Sequence, residues 1–421
     1  MIPNTPTSII KDHKSLPQLN SDTSPPTVHT IAVDPAQTSL MSSNKTRPRS
    51  NLNRPSSRGS IQGEELVSRE SSQYWEFSCN DIIHINYEQE LAKIGNSSQS
   101  FEDEYSHRCK SHGIIPCPTI RCLTSDSQRA LYLHHTKIDL ANWQTMLISS
   151  ISSSITSIFL YGLEISKRHV NDLVAGVTKA EQLRQLCLDF ITMQDDETCE
   201  CLSSVLGCEV QYLSLRGNRI SDSVVAAGSS RITANTTIEA LDLSQNSITD
   251  EGASLLLDSL RLCPNIKYIS LRSNLVTGFA FQSVFGLIIG STLTAADSAQ
   301  MKSLNTAISA RNRRVKDLLK KAAKEGGVLE LEEVPSLEQR VIKVGNESFI
   351  ANRMIREIDL SWNEIIPERL TEAYKSAVFP STLFSAQGAF NSTIRITGIK
   401  EDHFRTLFPS NSLPEGLRFE S

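Results

Sequence analysis

Between residues 107 and 122 the chain carries His107, Cys109, His112, Cys117 and Cys122. Imidazole and thiolate are ligands that zinc takes readily, so these five are the first candidates for chemistry. A strong zinc signal pairs its thiolates as C-x-x-C, which puts two ligands on one turn of backbone, and no such pair occurs here. They are expected to be ordinary residues of a capping segment that holds no metal. Cys199, Cys201 and Cys208 fall in the helical half of a repeating unit and are expected to be small core or helix residues. The chain contains no G-x-S-x-G, H-E-x-x-H, G-x-G-x-x-G or G-K-[ST]. The common hydrolase, metalloprotease, dinucleotide and P-loop arrangements are therefore missing, and neither a catalytic residue nor a cofactor is expected.

The residues that do recur belong to a repeat. LSLRGNRI (213–220), LDLSQNSI (241–248) and ISLRSNLV (269–276) start 28 residues apart, and IDLSWNEI (358–365) has the same form. All fit L-x-L-x-x-N-x-L, with Ile or Val accepted at the Leu positions. Weaker copies lie upstream as LYLHHTKI (131–138), IFLYGLEI (158–165) and LCLDFITM (186–193). A period of this length predicts a unit of one strand, one turn and one helix, which cannot bury its apolar side alone. Stacked units form a parallel sheet with a continuous Leu core, each buried Leu or Ile contributing roughly 1.5–3 kcal/mol. In SITDEGASLLLDSLRLCPN, Asp250 is the expected helix N-cap, and Leu255, Leu256 and Leu260 are the expected buried face.

Asn218, Asn246, Asn274 and Asn363 occupy the turn after the strand, where their amides can bridge successive units as a ladder. Thr136, Leu163 and Ile191 stand there in the upstream copies, which predicts a less regular N-terminal half. Strand periodicity then picks out an exposed face, because residues flanking the two core Leu positions point away from the core. They are Tyr132 and His134, Phe159 and Tyr161, then Cys187 and Asp189. Tyr212, Ser214 and Arg216 follow, with Asp242 and Ser244, then Tyr268, Ser270 and Arg272, and finally Glu357, Asp359 and Ser361. Tyr and Arg are frequent anchors of protein interfaces, so this face is the expected partner-binding surface.

These phrases resemble the ribonuclease-inhibitor-like leucine-rich repeat superfamily. The resemblance implies an α/β solenoid, a horseshoe with parallel strands on its concave side and helices on its convex side. Around it the chain divides into a Ser/Thr/Pro-rich tail (1–72), a cap (73–128), six repeats (129–290), a charged insertion (291–350) and a final repeat with its cap (351–421). The tail holds few branched or aromatic residues and is expected to be disordered; its stretch 41–60 has five basic residues and no acidic one. The cap begins at Tyr74, Trp75 and Phe77 and has a helix-like piece from Asp81 to Ile94. The step from Ile269 to Ile358 is 89 residues, about 61 longer than one repeat. Residues 301–324 carry eight basic residues and one acidic one and predict a helix ending at Gly326–Gly327, followed by the acidic stretch Glu330 to Glu338. This material reads as an arm leaving the solenoid. STIRITGI (392–399) reads as a degenerate last strand.

That order of parts, together with LSLRGNRI, the ITDEGA helix start and the repeat after VIKVGNESFIANRMIREIDLSWNEI (341–365), resembles the family of leucine-rich repeat-containing protein 71 over about 74–370. The resemblance implies a structural component of the ciliary or flagellar axoneme, with axonemal or tubulin-associated protein partners. The insertion is shorter than that family's. A second reading is a leucine-rich repeat GTPase-activating protein, for which Arg216 and Arg272 are the exposed arginines. A nuclease inhibitor should present an acidic interface to a basic enzyme, and this face mixes Arg with Asp and Tyr.

The charge of −5 gives no overall case for nucleic acid. The most apolar stretch, Val276 to Leu293, is interrupted by Gln282, Gly and Ser and reads as a buried repeat helix, not a membrane span. No secretory signal is read at the N-terminus, and nine cysteines then point to a reduced, cytoplasmic setting.

Overall fold

The computed structural model describes residues 83–95, 99–124, 129–193, 196–324, 333–376, 392–397 and 417–420. The tail 1–72 and the Tyr74–Trp75–Phe77 entry lie outside them. The cap comprises α1 (Tyr87–Ala92), α2 (Phe101–His112) and β1 (Arg121–Thr124). The helix expected from Asp81 is shorter, because the Asn86 side chain accepts from Gln89 N–H and starts it at Tyr87. Ser100 caps α2, and Gly113 ends it in the left-handed region at φ 71°. Tyr87, Leu91, Phe101, Tyr105 and Cys109 are buried against the first repeat, closing an otherwise open end of the core.

The repeats follow in chain order. The first is β2 (Arg129–His134) and α3 (Leu140–Ser152). The second is β3 (Ser157–Tyr161), β4 (Glu164–Ile165) and α4 (Lys167–Lys179), and the third β5 (Gln185–Asp189), β6 (Thr192–Met193) and α5 (Asp196–Val205). Next are β7 (Tyr212–Ser214) with α6 (Asp222–Ala234), β8 (Ala240–Asp242) with α7 (Asp250–Leu260), and β9 (Tyr268–Ser270) with α8 (Phe281–Ile288). The insertion holds β10 (Ser291–Thr292), α9 (Ala295–Lys324), a 3-10 turn at Leu337–Arg340, β11 (Val341–Val344) and β12 (Glu347–Ile350). The series resumes with β13 (Glu357–Asp359) and α10 (Pro367–Ser376), then β14 (Ser392–Arg395) and β15 (Leu417–Glu420).

One ten-stranded sheet runs β1-β2-β3-β5-β7-β8-β9-β13-β14-β15, parallel except for the β1–β2 hairpin. Its register puts one core residue of each repeat in a single row: Leu131, Ile158, Leu186, Leu213, Leu241, Ile269, Ile358 and Ile394. All eight are buried in one hydrophobic core. β13 pairs directly with β9, so the insertion interrupts the chain and not the sheet. β14 lies within STIRITGI, with Ile394 and Ile396 buried.

The turn after each strand is fastened by side-chain amides. Asn246 Oδ1 accepts from the N–H groups of Asn218 and Ile220 at 2.9 and 3.0 Å, and its amide donates to the carbonyls of Leu215 and Leu243. Asn274 and Asn363 repeat the pattern, Asn363 reaching back 89 residues to Asn274 N–H at 3.1 Å. Asn218 serves the third repeat, accepting from Ile191 N–H and donating to Leu188 O. Where Leu163 and Ile191 replace Asn, both are buried, and the backbone pairs instead: β4 and β6 form their own parallel ladder. Backbone groups that lack an amide partner have recruited each other.

A second ladder sits at the helix-to-strand turns. Asn235 donates to Cys208 O, Cys263 Sγ to Asn235 O at 3.5 Å, and Asn352 to Cys263 O at 2.8 Å. Asn352 therefore restarts the repeat on the far side of the insertion.

Two local expectations are corrected. The cap of α7 is Thr249, not Asp250. Asp250 is the first helical residue, and its carboxylate accepts from Gly278 and Ala280 N–H at 3.1 and 3.0 Å, tying its helix to the following repeat. Asp222 does the same for Thr249, accepting from its N–H at 2.9 Å. On α7, Leu256, Leu257 and Leu260 are buried, whereas Leu255 is exposed.

The insertion is not an arm leaving the repeats. Met301, Leu304 and Ile308 of α9 bury against Leu262, Leu337 and Ile350 in a second small core. The buried Arg340 guanidinium donates to Asn352 Oδ1 and to the carbonyls of Cys263 and Pro264. Arg261 pairs with Asp297 at 2.6 Å. The apolar stretch around α8 is core, with Phe281, Val284, Phe285, Leu287 and Ile288 buried. Among the described residues no helix is long and apolar enough to cross a membrane.

Candidate protein-binding face

The sheet face opposite the helices carries the strand residues that alternate with the core row. In the first two repeats it is aromatic: Tyr132 and Phe159 are neighbours in register and stack with centroids 4.8 Å apart. Next to them His134 is exposed and Tyr161 is 41% exposed, so the aromatic surface faces solvent. Tyr212 is half-buried, and burial pushes its hydroxyl pKa up, helped by Cys187, Asp242 and Asp189 around it. Tyr268 is 49% exposed.

The carboxylates on this face are turned inward. Asp189 Oδ1 accepts from Ser214 Oγ at 2.6 Å and Arg216 N–H at 3.2 Å. Burial nevertheless raises its pKa, the Ser214 hydrogen bond opposing and Asp242 adding to the shift. Asp242 and Asp359 accept from the N–H groups of Ser244 and Ser361, two residues on. These three aspartates hold strand ends and are half-buried, so they offer less to a partner than their alternation implies. Glu357 is half-buried and pairs with Arg395 of β14 at 3.2 Å.

Both arginines on this face lie against aromatic rings. Arg216 Cζ is 5.3 Å from the Phe190 centroid and its Nε donates to Gln245. Arg272 lies 5.8 Å from the Trp362 centroid.

Phe190 and Trp362 are the residues that alternation misses. They share one place, the fifth of each eight-residue window, and there the backbone is left-handed in all seven copies. The φ values are 45° at His135, 62° at Gly162, 54° at Phe190 and 71° at Gly217. They are 56° at Gln245, 55° at Ser273 and 60° at Trp362. The turn demands this conformation, since each of these N–H groups donates to the next repeat. Glycine relieves the strain, and at Gly162 and Gly217 it also makes room. A Cβ at Gly162 would lie 2.6 Å from the His135 ring, and one at Gly217 2.5 Å from Phe190.

The result is an aromatic row along the lip of the sheet. His135 meets Tyr161 edge-on at 5.0 Å, Tyr161 meets Phe190 at 5.2 Å, and Arg216 closes the row. Trp362 is 64% exposed although a bulky left-handed residue is costly there. Beyond it, on the turns of the same two repeats, Leu275, Phe279 and Ile366 are exposed, with Arg369 4.5 Å above the Phe279 ring.

Cys109 is fully buried in the core, and burial pushes its thiol up to about 11, as it does for Cys122. Among the described residues no three His, Cys, Asp or Glu side chains are placed to hold a metal ion. Cys201 is half-buried and Cys208 buried, whereas the Cys199 side chain lies outside the described residues.

Residues 234–257 and 351–368 match the family model described as Leucine Rich repeat. Those two stretches are leucine-rich repeats. Each matched stretch runs from one ladder to the other, Asn235 to Asn246 in the first and Asn352 to Asn363 in the second. No curated protein matches the chain.

Proposed function

We propose that this leucine-rich repeat chain is a non-enzymatic, cytoplasmic scaffold that binds protein through the open face and lip of its sheet. In this reading the stack is a horseshoe of the ribonuclease-inhibitor type, with that face as its concave side. The observation that carries it is the lip row. The turn requires only a left-handed backbone at the fifth position, which Gly, Gln and Ser supply elsewhere in the array. Phe190, half-buried, and Trp362, 64% exposed, add strain and aromatic surface that the fold does not need, each with an arginine on its ring. Exposed Trp and Tyr beside Arg are the side chains from which interface hot spots are made.

A ciliary or flagellar axonemal partner is the finer proposal. It rests on the order of parts: cap, six repeats, charged insertion and resumed repeat. Proximity labelling in ciliated cells tests both levels. Wild type should label axonemal or tubulin-associated proteins, and Tyr161→Ala/Trp362→Ala should lose them. Identical labelling by the two would remove the lip as anchor, and labelling confined to diffuse cytosolic proteins would remove the axonemal assignment.

A further inference from the structure

The insertion carries a surface that the sheet face does not explain. Along one stripe of α9, Met301, Leu304, Ile308 and Val315 are buried. The helix is clamped to the returning chain: Asn312 exchanges hydrogen bonds with both backbone groups of Val334 at 2.8 and 2.9 Å, and Asn305 Oδ1 accepts from Leu337 N–H at 2.9 Å. Burial lowers the pKa of Arg311, and the charges of Glu239 and Glu209 oppose that shift. The remaining face of α9 is basic. Lys302, Arg313, Arg314, Lys321 and Lys324 are exposed, and among the described residues none of these five makes an ion pair. Lys316 pairs with Glu333 and Lys320 with Asp317, at 3.1 and 3.9 Å.

Two features argue against a merely solvated face. Lys316, Lys320 and Lys324 follow one another at i, i+4 and i+8, a spacing at which like charges repel, and the pairs to Glu333 and Asp317 offset this at the first two and not at Lys324. Segregation of charge is also steep: 301–324 carries eight basic residues and one acidic, a net +7, in a chain of −5, which leaves −12 on the remainder. In addition Leu318 is 46% exposed between Arg314 at i−4 and Lys321 at i+3.

We propose that this face of α9 docks an acidic polypeptide segment bearing one apolar side chain for Leu318. Lys302 to Lys324 spans about 33 Å of helix, the reach of about ten extended residues. A short acidic segment fits within that pole. A nucleic acid would run on over the acidic remainder, and the helix has no aromatic residue on which a base could stack. The proposal is independent of the sheet-face reading.

The test uses the full chain and a fluorescent peptide of about ten glutamates with one central leucine. Wild type should bind it, with affinity falling several-fold between about 50 and 200 mM salt. Arg313→Glu/Arg314→Glu/Lys321→Glu, which alters exposed side chains only, should weaken binding at least about tenfold with its circular dichroism unchanged. Leu318→Ala should weaken it a few-fold, and Tyr161→Ala/Trp362→Ala should leave it intact. No binding at low salt, or equal binding by the triple variant, would overturn the proposal. So would tighter binding of an oligonucleotide that the triple variant abolishes.

Discussion

Gly217 shows how a single residue ties the fold to its exposed face. Its φ of 71° and the 2.5 Å that a Cβ would leave to Phe190 are two separate penalties. Gly217→Ala should therefore destabilise the protein by about 1–3 kcal/mol, seen as a lower urea midpoint. Adding Phe190→Ala should return the steric part and leave the backbone part, whereas purely additive losses would contradict the contact. The conformation was partly legible in sequence. LYGLEI and LRGNRI both place Gly at the fifth position, which hints that the turn is left-handed there. Alternation counted outward from the two leucines stops before that position, because the strand period no longer applies once the chain turns. Phe190 and Trp362 are invisible to it for that reason. The aspartates are visible to it but misleading, since a short carboxylate at a strand end finds its own backbone first.

Among the elements, α4 has the most conditional start. His169 Nδ1 lies 2.8 Å from Ser166 Oγ and 3.3 Å from Ser166 N–H, while Nε2 lies 3.3 Å from Ile138 O. This arrangement suits the neutral ring with Nδ1 as acceptor. Burial lowers its pKa, while the Ile138 carbonyl and the charges of Asp172 and Asp139 oppose that shift. The unfolded chain thus takes up the proton more readily, and stability is lost as pH falls through the ordinary histidine value of about 6.5. Urea midpoints should drop more for wild type than for His169→Gln between about pH 7.5 and 5.5. Equal slopes would mean that the ring does not govern the helix start. Element phase was less legible than element existence. Helix α7 presents Leu257 inward where Leu255 was expected, because Leu255, Leu256 and Leu257 stand consecutively and periodicity alone cannot phase such a run. The ladder through Cys208, Asn235, Cys263 and Asn352 escaped notice for a different reason: it alternates two residue types outside the conspicuous window, so it has no sequence signature of its own.

For the whole molecule, the controlling fact is that each repeat pairs its strand with that of the next, including the pair that the insertion separates in sequence. The 89-residue step looks like a break along the chain, yet β13 pairs with β9 and Asn363 with Asn274 as though nothing intervened. Stability should then be a sum of repeats and interfaces, propagating inward from the ends. Leu243, fully buried between the repeats of β7 and β9, belongs to interfaces on both sides. Leu243→Ala should cost about 2–5 kcal/mol and accelerate amide exchange across β5 to β13 together. Ile394 is equally buried but sits in β14, with only β15 beyond it in the sheet. Ile394→Ala should open β13 to β15 while β7 and β8 keep their protection, since losing an end repeat leaves the interior interfaces intact. Exchange that rises uniformly in both variants would mean a single cooperative block. In that case the folded insertion, which Arg340 locks to the carbonyls of Cys263 and Pro264 before β9 and to Asn352 before β13, would be a brace across the junction it interrupts.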